Sequence, residues 1–155
     1  MASLKITQRV EAPPDRVFEV LTDVPNWAEY IGGIRKVEML TDGPVGVGTR
    51  FRETRMLFKR EATEEMEITE FRPPRAYVLE CDSCGCHYRT TTNVVPDGSG
   101  ALIEMEMQAT PVSFMAKLMS PLNPLFSGPM KKFIQKDLED TRARLEAVPA
   151  APAPA

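Results

Sequence analysis

The sequence predicts an α+β fold in which a curved, seven-stranded antiparallel sheet wraps around one long C-terminal helix. Three observations predict it. The order of elements is one strand, two short helices, six strands and a helix. The last six strands follow one another through short, turn-rich connections, which favours antiparallel pairing. The final third carries one long amphipathic pattern. With 155 residues, 43% of them hydrophobic and 26% charged, the chain has the size and composition of one globular domain.

Each element has a local reason. Lys5 to Val10 is rich in β-branched residues and reads as a strand, stopped by Ala12-Pro13-Pro14-Asp15. A proline in the first helical turn loses nothing, because its missing N–H would have had no partner there. Val17, Phe18, Val20 and Leu21 then form one apolar stripe over a short helix. Pro25-Asn26 breaks it, Trp27 to Ile31 makes a second short helix, and Gly32-Gly33 ends that. Six strands are expected at 34–40, 49–58, 61–71, 76–81, 86–94 and 101–110. Asp42-Gly43-Pro44, Pro73-Pro74 and Pro96-Asp97-Gly98-Ser99-Gly100 separate some of them as turns or loops. A helix is expected from Val112 to about Ser120. Pro121, Pro124 and Pro129 rule out one continuous helix from there onward. Ser127 is placed to cap the long helix near Gly128-Pro129, with Met130, Phe133, Ile134, Leu138, Thr141 and Leu145 on one face. Residues 1–147 are thus expected as the domain, and the Pro/Ala-rich 148–155 as a flexible tail.

Composition also excludes. The formal net charge is -3, a poor fit to sequence-independent nucleic-acid binding. No apolar run nears the roughly 20 residues that span a bilayer, so no integral membrane association is expected. Met1 to Thr7 has no basic segment followed by an apolar one, and the expected location is cytoplasmic. There is one histidine, His87, no Walker loop, and Gly46-Val47-Gly48 lacks the third glycine of a dinucleotide fingerprint. No cofactor is expected.

Alternation assigns the faces. Ile103, Met105, Met107 and Ala109 alternate with Glu104, Glu106 and Gln108, so the methionine side points inward. Cys86, Tyr88, Thr90, Thr92 and Val94 share a parity and are expected beside Tyr77, Leu79 and Cys81. If Lys59-Arg60 is a two-residue turn, Arg52 faces Glu67, Phe51 faces Ile68, and Arg55 meets Glu64. Phe51, Glu53 and Arg55 then share the inner face with Glu64, Met66 and Ile68. An inner face mixing Met, Thr, Tyr and charges predicts a cavity rather than a uniformly dry core.

The stretch from Val10 to Trp27, with Ala12-Pro13-Pro14-Asp15-Arg16-Val17-Phe18 at its centre, resembles the opening of the START-like (SRPBCC) superfamily. The branch is that of polyketide cyclase/dehydrase and lipid transport proteins. Gly46-Val47-Gly48-Thr49-Arg50-Phe51 is similar to the family's glycine turn into its third strand, and Ile68 to Arg75 to its strand-end turn. The resemblance covers about residues 3–147. It implies the helix-grip fold and a deep apolar cavity between sheet and long helix. The superfamily has no universal catalytic residue, so the resemblance transfers no catalytic role. The proline-rich approach to the helix (121–129) and the cysteine-rich hairpin at 81–87 depart from the family pattern.

The candidate ligand-binding residues are Tyr30, Phe51, Glu53, Arg55, Glu64, Met66, Tyr77, Tyr88, Thr90, Met105, Met107, Met115, Met119 and Phe133. A carboxylate in an apolar cavity has a raised pKa, and can move a proton or orient a ligand hydroxyl or amine. Tyrosine hydroxyls suit a polyphenol or quinone. Methionines adapt to a permissive apolar ligand. Cys81, Cys84, Cys86 and His87 have knuckle-like spacing, but alternation sends Cys86 and His87 to opposite faces, and no metal site is expected. The expected function is binding of a hydrophobic or aromatic small molecule (lipid, polyketide or quinone-like) as carrier or sensor. The alternative is a polyketide cyclase/dehydratase-like enzyme using Glu53 or Glu64 for proton transfer. A third reading allows transient membrane contact through Leu122–Phe126.

Overall fold

The computed structural model describes residues 2–57, 59–119 and 124–147. Strand β1 (Ala2–Val10) leads into α1 (Pro14–Leu21), a 3-10 turn at Val24–Asn26 and α2 (Trp27–Tyr30). Strands β2 (Ile34–Met39), β3 (Arg50–Leu57), β4 (Arg60–Arg72), β5 (Ala76–Ser83), β6 (Cys86–Asp97) and β7 (Gly100–Pro111) follow. The chain then forms α3 (Phe114–Met119) and α4 (Pro124–Ala147). The seven strands make one antiparallel sheet in the order β1-β7-β6-β5-β4-β3-β2. The helix-grip architecture expected from the sequence is therefore present.

Local chemistry explains the elements. Pro14 opens α1 at a position where no N–H is needed. Thr22 ends it, its hydroxyl donating back to the Phe18 carbonyl at 2.8 Å. The 13-residue β4 carries a register shift between Ile68 and Glu70, and such bulges bend a strand. Pro96 lies within β6 rather than in the loop expected there. The β5 pairing ends at Asn93, so Pro96 has a ladder partner on one side only, where a missing N–H is tolerated.

Two further expectations are corrected. Leu57 pairs with Arg60, so the β3–β4 turn lies between them rather than at Lys59-Arg60. Arg52 therefore faces Glu65, Phe51 faces Met66, and Arg55 faces Ala62. Lys59 adopts a left-handed conformation, φ 64°, which nothing in its side chain advertises. The slip is two residues, so every side chain keeps its face. The long helix begins at Pro124, not near Gly128, and Pro129 lies inside it. Residues 120–123, the side chains of Met119 and 124–127, and the 148–155 tail lie outside the described residues, and with them the Leu122–Phe126 contact.

Two apolar clusters fill the space under the sheet. One joins β1, α1 and α4 through Ile6, Val10, Val17, Phe18, Ile103, Ile134, Leu138 and Leu145. The other lies under α2, where Trp27 stacks edge-on against Phe51 at 5.4 Å and its indole N–H donates to the Leu21 carbonyl. Tyr30, Phe71 and Leu79 touch both clusters. The outer face is a lattice of ion pairs, among them Arg52–Glu38 at 3.3 Å and Arg89–Glu70 at 2.8 Å.

At the closed end, β1 and the β6–β7 hairpin approach so tightly that a Cβ on Gly100 would lie 2.2 Å from the Val10 carbonyl oxygen. Gly100→Ala must push the backbones apart, and is expected to cost about 1–3 kcal/mol in a urea unfolding experiment. Gly46→Ala, whose added methyl meets only the Phe71 ring at 4.0 Å, should stay within about 0.5 kcal/mol of the parent.

Candidate functional site

The inner face of the sheet divides into a sealed half and an open half. Phe51, Ile68, Tyr77, Thr92, Val94 and Ile103 are sealed from water. One or two positions along the same strands, Met66, Leu79, Thr90, Met105 and Met107 point to the same face yet are only half-buried. Glu64, Cys81 and Tyr88 share this intermediate state. The closest packing of α4 is on β1, then α1 and α2, and its Ile134 and Leu138 share one apolar cluster with the sealed Tyr77, Val94 and Ile103. Inward-facing Leu79 and Thr90 in the two central strands keep contact with solvent.

A charged cluster ties the helix to the far side of that space. Arg55 on β3 donates from Nε to Glu53 at 2.6 Å, and its outer nitrogen meets Asp137 of α4 at 3.0 Å. Glu53 is only 4% exposed. The Gly32-Gly33 turn after α2 closes the cluster: the Gly32 N–H donates to Asp140 at 2.9 Å, and the Gly33 carbonyl accepts from Met56 N–H. Burial drives the Asp137 carboxyl up to about 6, with the Arg55 cation pulling the other way. Burial lowers the Arg55 pKa, but its two carboxylates outweigh this and raise it.

The partner expected for Arg55 is corrected. Glu64 lies directly opposite Glu53, two like charges across one ladder step, and accepts a hydrogen bond from Ser83 Oγ at 2.7 Å instead. Burial pushes Cys81 up to about 12, reinforced by the Glu64 carboxylate. Tyr77 rises to about 12 through burial, with the Thr92 hydroxyl opposing. Tyr88 rises to about 12 through burial and the nearby Cys86 and Cys84 thiols.

The structure thus brings together Phe51, Glu53, Arg55, Glu64, Met66, Tyr77, Tyr88, Thr90, Met105 and Met107 on one inner surface, with Phe133 half-buried on α4. Tyr30 stands at the α2 side. Its hydroxyl donates to the Val20 carbonyl at 2.6 Å, and Arg144 covers its ring. Met115 stands apart, 64% exposed on α3, and the Met119 side chain is outside the described residues. Asp137 went unread in the sequence. It sits three residues after Ile134 and four before Thr141, so helical periodicity already placed it on the inward side.

His87 lies on the opposite, outer face, bonded to Asp82 at 2.6 Å and Glu80 at 2.9 Å, both of which raise its pKa. It borders a groove of about 400 Å³ there. The charges of that groove already satisfy one another, as in Arg50–Glu65 and His87–Glu80. Among the described residues, no group of three or more His, Cys, Asp or Glu side chains is arranged to hold a metal.

The Arg55 cluster generates a pH prediction. Asp137 holds its proton to a higher pH folded than unfolded, where its pKa is ordinary. Its contribution to stability is therefore complete at low pH and is lost as pH rises from about 4 to about 6. A carbon-detected NMR titration should give a midpoint near 6, and Asp137→Asn should flatten the pH dependence of the urea midpoint in that window. In Arg55→Gln the Asp137 midpoint should move higher still. That variant should also lose about 3–5 kcal/mol, because Glu53 is left buried without its cation.

A search of curated protein sequences returns no match. The fold matches TTHA0849 from Thermus thermophilus with a TM-score of 0.80 at 16% identity, over 96% of this chain and 100% of that one. It matches a START superfamily protein from Mycobacterium smegmatis with a TM-score of 0.76 at 11% identity, over 94% and 97% of the two chains. The di-domain ARO/CYC BexL from the BE-7585A biosynthetic pathway gives 0.78 at 16% identity, with 96% of this chain covering 51% of that one. A sequence model described as polyketide cyclase / dehydrase and lipid transport matches residues 1–148. The chain belongs to the polyketide cyclase/dehydrase and lipid transport family.

Proposed function

We propose that the chain binds one hydrophobic or aromatic small molecule, of lipid, polyketide or quinone-like character, between α4 and the open half of the sheet, as a carrier or sensor. Family and fold support the coarser statement, a role in hydrophobic-ligand binding or cyclase-like chemistry. The observation that supports the finer one is the half-burial of inward-facing Leu79 and Thr90 on the two central strands. Side chains there would be sealed if the protein only needed a core. An apolar ligand would lie against Met66, Leu79, Met105 and Met107, whose thioethers adapt to irregular shapes. Its polar end would meet Glu64, Ser83 and Tyr88, with Glu64 accepting from a ligand hydroxyl or amine.

A second reading, an enzyme moving a proton, is favoured by one observation. Glu64 is a half-buried inner-face carboxylate whose hydrogen-bond partner is a hydroxyl, while Glu53 is committed to Arg55. Glu64 is therefore the better of the two candidate acid/base groups.

Native mass spectrometry of the purified chain, followed by denaturing extraction, is the direct test. An apolar molecule bound near one-to-one is the expected result. With a fluorescent apolar probe, Thr90→Trp should weaken binding about tenfold or more while the melting temperature stays within a few degrees. Equal probe affinity in the parent and a folded Thr90→Trp would place the ligand elsewhere. Glu64→Gln should change a carrier's affinity only by about threefold but should abolish turnover in an enzyme.

A further inference from the structure

The end of the molecule that carries α3 has a different surface from the rest. The β5–β6 hairpin tip reaches it at Cys84-Gly85, and the β3–β4 tip at Lys59. Both the Val112 and Ser113 N–H groups donate to the Gly85 carbonyl, and Ser113 Oγ accepts from Ala116 N–H. Strand β7 therefore turns into α3 directly against the β5–β6 tip. Helix α4 ends at the other pole, where Glu146 accepts the Glu11 N–H at 3.0 Å. A helix of 24 residues is about 36 Å long, so its first turns return to the α3 end.

Apolar side chains stand in solvent here. Phe114 is 78% exposed, Met115 64%, Leu118 63% and Val112 55%. Phe114, Met115 and Leu118 fall on one side of α3, with Lys117 flanking them. The segment that forms α3 and the first turns of α4 is cationic, while exposed Glu61 and Asp82 stand beside the two hairpin tips. From Met107 to Lys136 the sequence has four lysines and no Asp or Glu, in a chain with 22 acidic residues. Lys59, Arg60, Lys117, Lys131 and Lys132 are exposed and form no ion pair among the described residues. Elsewhere the arginines of the sheet, such as Arg50, Arg52 and Arg89, are tied to carboxylates.

We propose that α3 docks this end of the protein onto the surface of an anionic lipid bilayer, with Phe114, Met115 and Leu118 entering the interface and the unpaired lysines facing the headgroups. The pattern is apolar side chains on one short amphipathic face with cations beside them. A second copy of the chain fits the patch less well, because a twofold interface would set the same cations against one another. No described helix is long and apolar enough to cross the membrane, so the contact is peripheral and reversible. It goes beyond the ligand-binding proposal and does not depend on what the cavity holds.

Flotation of the full chain tests it, with vesicles of phosphatidylcholine alone and vesicles containing about 30% phosphatidylserine. The expected result is flotation with the anionic vesicles only, reduced several-fold when salt is raised from about 0.1 to about 0.5 M. Phe114→Asp with Leu118→Asp should abolish it, and Lys131→Glu with Lys132→Glu should weaken it about tenfold or more. These positions are exposed, so each variant should keep the parent's melting temperature and probe binding. No flotation with either vesicle overturns the proposal, as does equal flotation with both. A concentration-dependent dimer in sedimentation, abolished by the α3 substitutions in a protein that does not float, assigns the patch to a second copy instead.

Discussion

The Arg55 guanidinium is the contact on which the relation between helix and sheet depends. It reaches Glu53 within its own strand and Asp137 across the gap, so the middle of α4 is held to the β3 side by charge. On the other side α4 rests on β1 and α1 through Ile134, Leu138 and Leu145. The charged strut costs desolvation, visible in the raised Asp137 pKa, and a buried ion pair is a weak source of stability in general. Its value here is geometric: it ties the middle of α4 to β3 at a fixed position.

The inner surface changes character along its length. Where α1 and α2 close over the sheet, Phe18 packs on Phe71 and Tyr77, and Trp27 on Phe51. Beyond them the lining becomes Met, Leu, Thr, Tyr and Glu, held by Ser83–Glu64 and Arg55–Glu53. Residues of this second kind tolerate contact with water or ligand. Residues of the first kind would leave empty volume if parted, at a cost that grows with the cavity.

Much of this was legible in the sequence because it rests on periodicity. The β7 pattern of Ile103, Met105 and Met107 against Glu104 and Glu106 assigns its faces without knowledge of any partner. The same is true of Phe51, Glu53 and Arg55. The two-residue error at the β3–β4 turn moved Arg55 from Glu64 to Ala62 without moving it off the inner face. What periodicity does not encode is which of several like charges finds a given cation. Arg55 had Glu53, Glu64 and Asp137 within reach of its face, and the choice follows from where α4 lies in three dimensions. The helix start was illegible for a related reason. Prolines argue against helix interiors, yet Pro129 sits in the second turn of α4, where its missing N–H removes one intrahelical bond near the start of a 24-residue helix.

The two poles of the molecule divide labour along the same axis. At the closed pole, Arg9 pairs with Asp97 at 2.9 Å, Ser99 donates to Glu11, and Glu146 bonds both Arg142 and the Glu11 backbone. Each surface pair contributes little alone, but together they link β1, the β6–β7 hairpin and the end of α4. The opposite pole has exposed cations that form no ion pair among the described residues, and an apolar helix in solvent. A ligand that prefers apolar surroundings must leave one such environment to enter another. Among the described residues, the α3 end is held by fewer ion pairs than the other pole, so any opening that ligand exchange requires is expected there. Local opening is drawn from segments with few buried apolar contacts, and α3, resting on β7 and the Gly85 carbonyl, is such a segment. The features that would let a bilayer hold that end are the same ones that leave it least constrained by the rest of the fold.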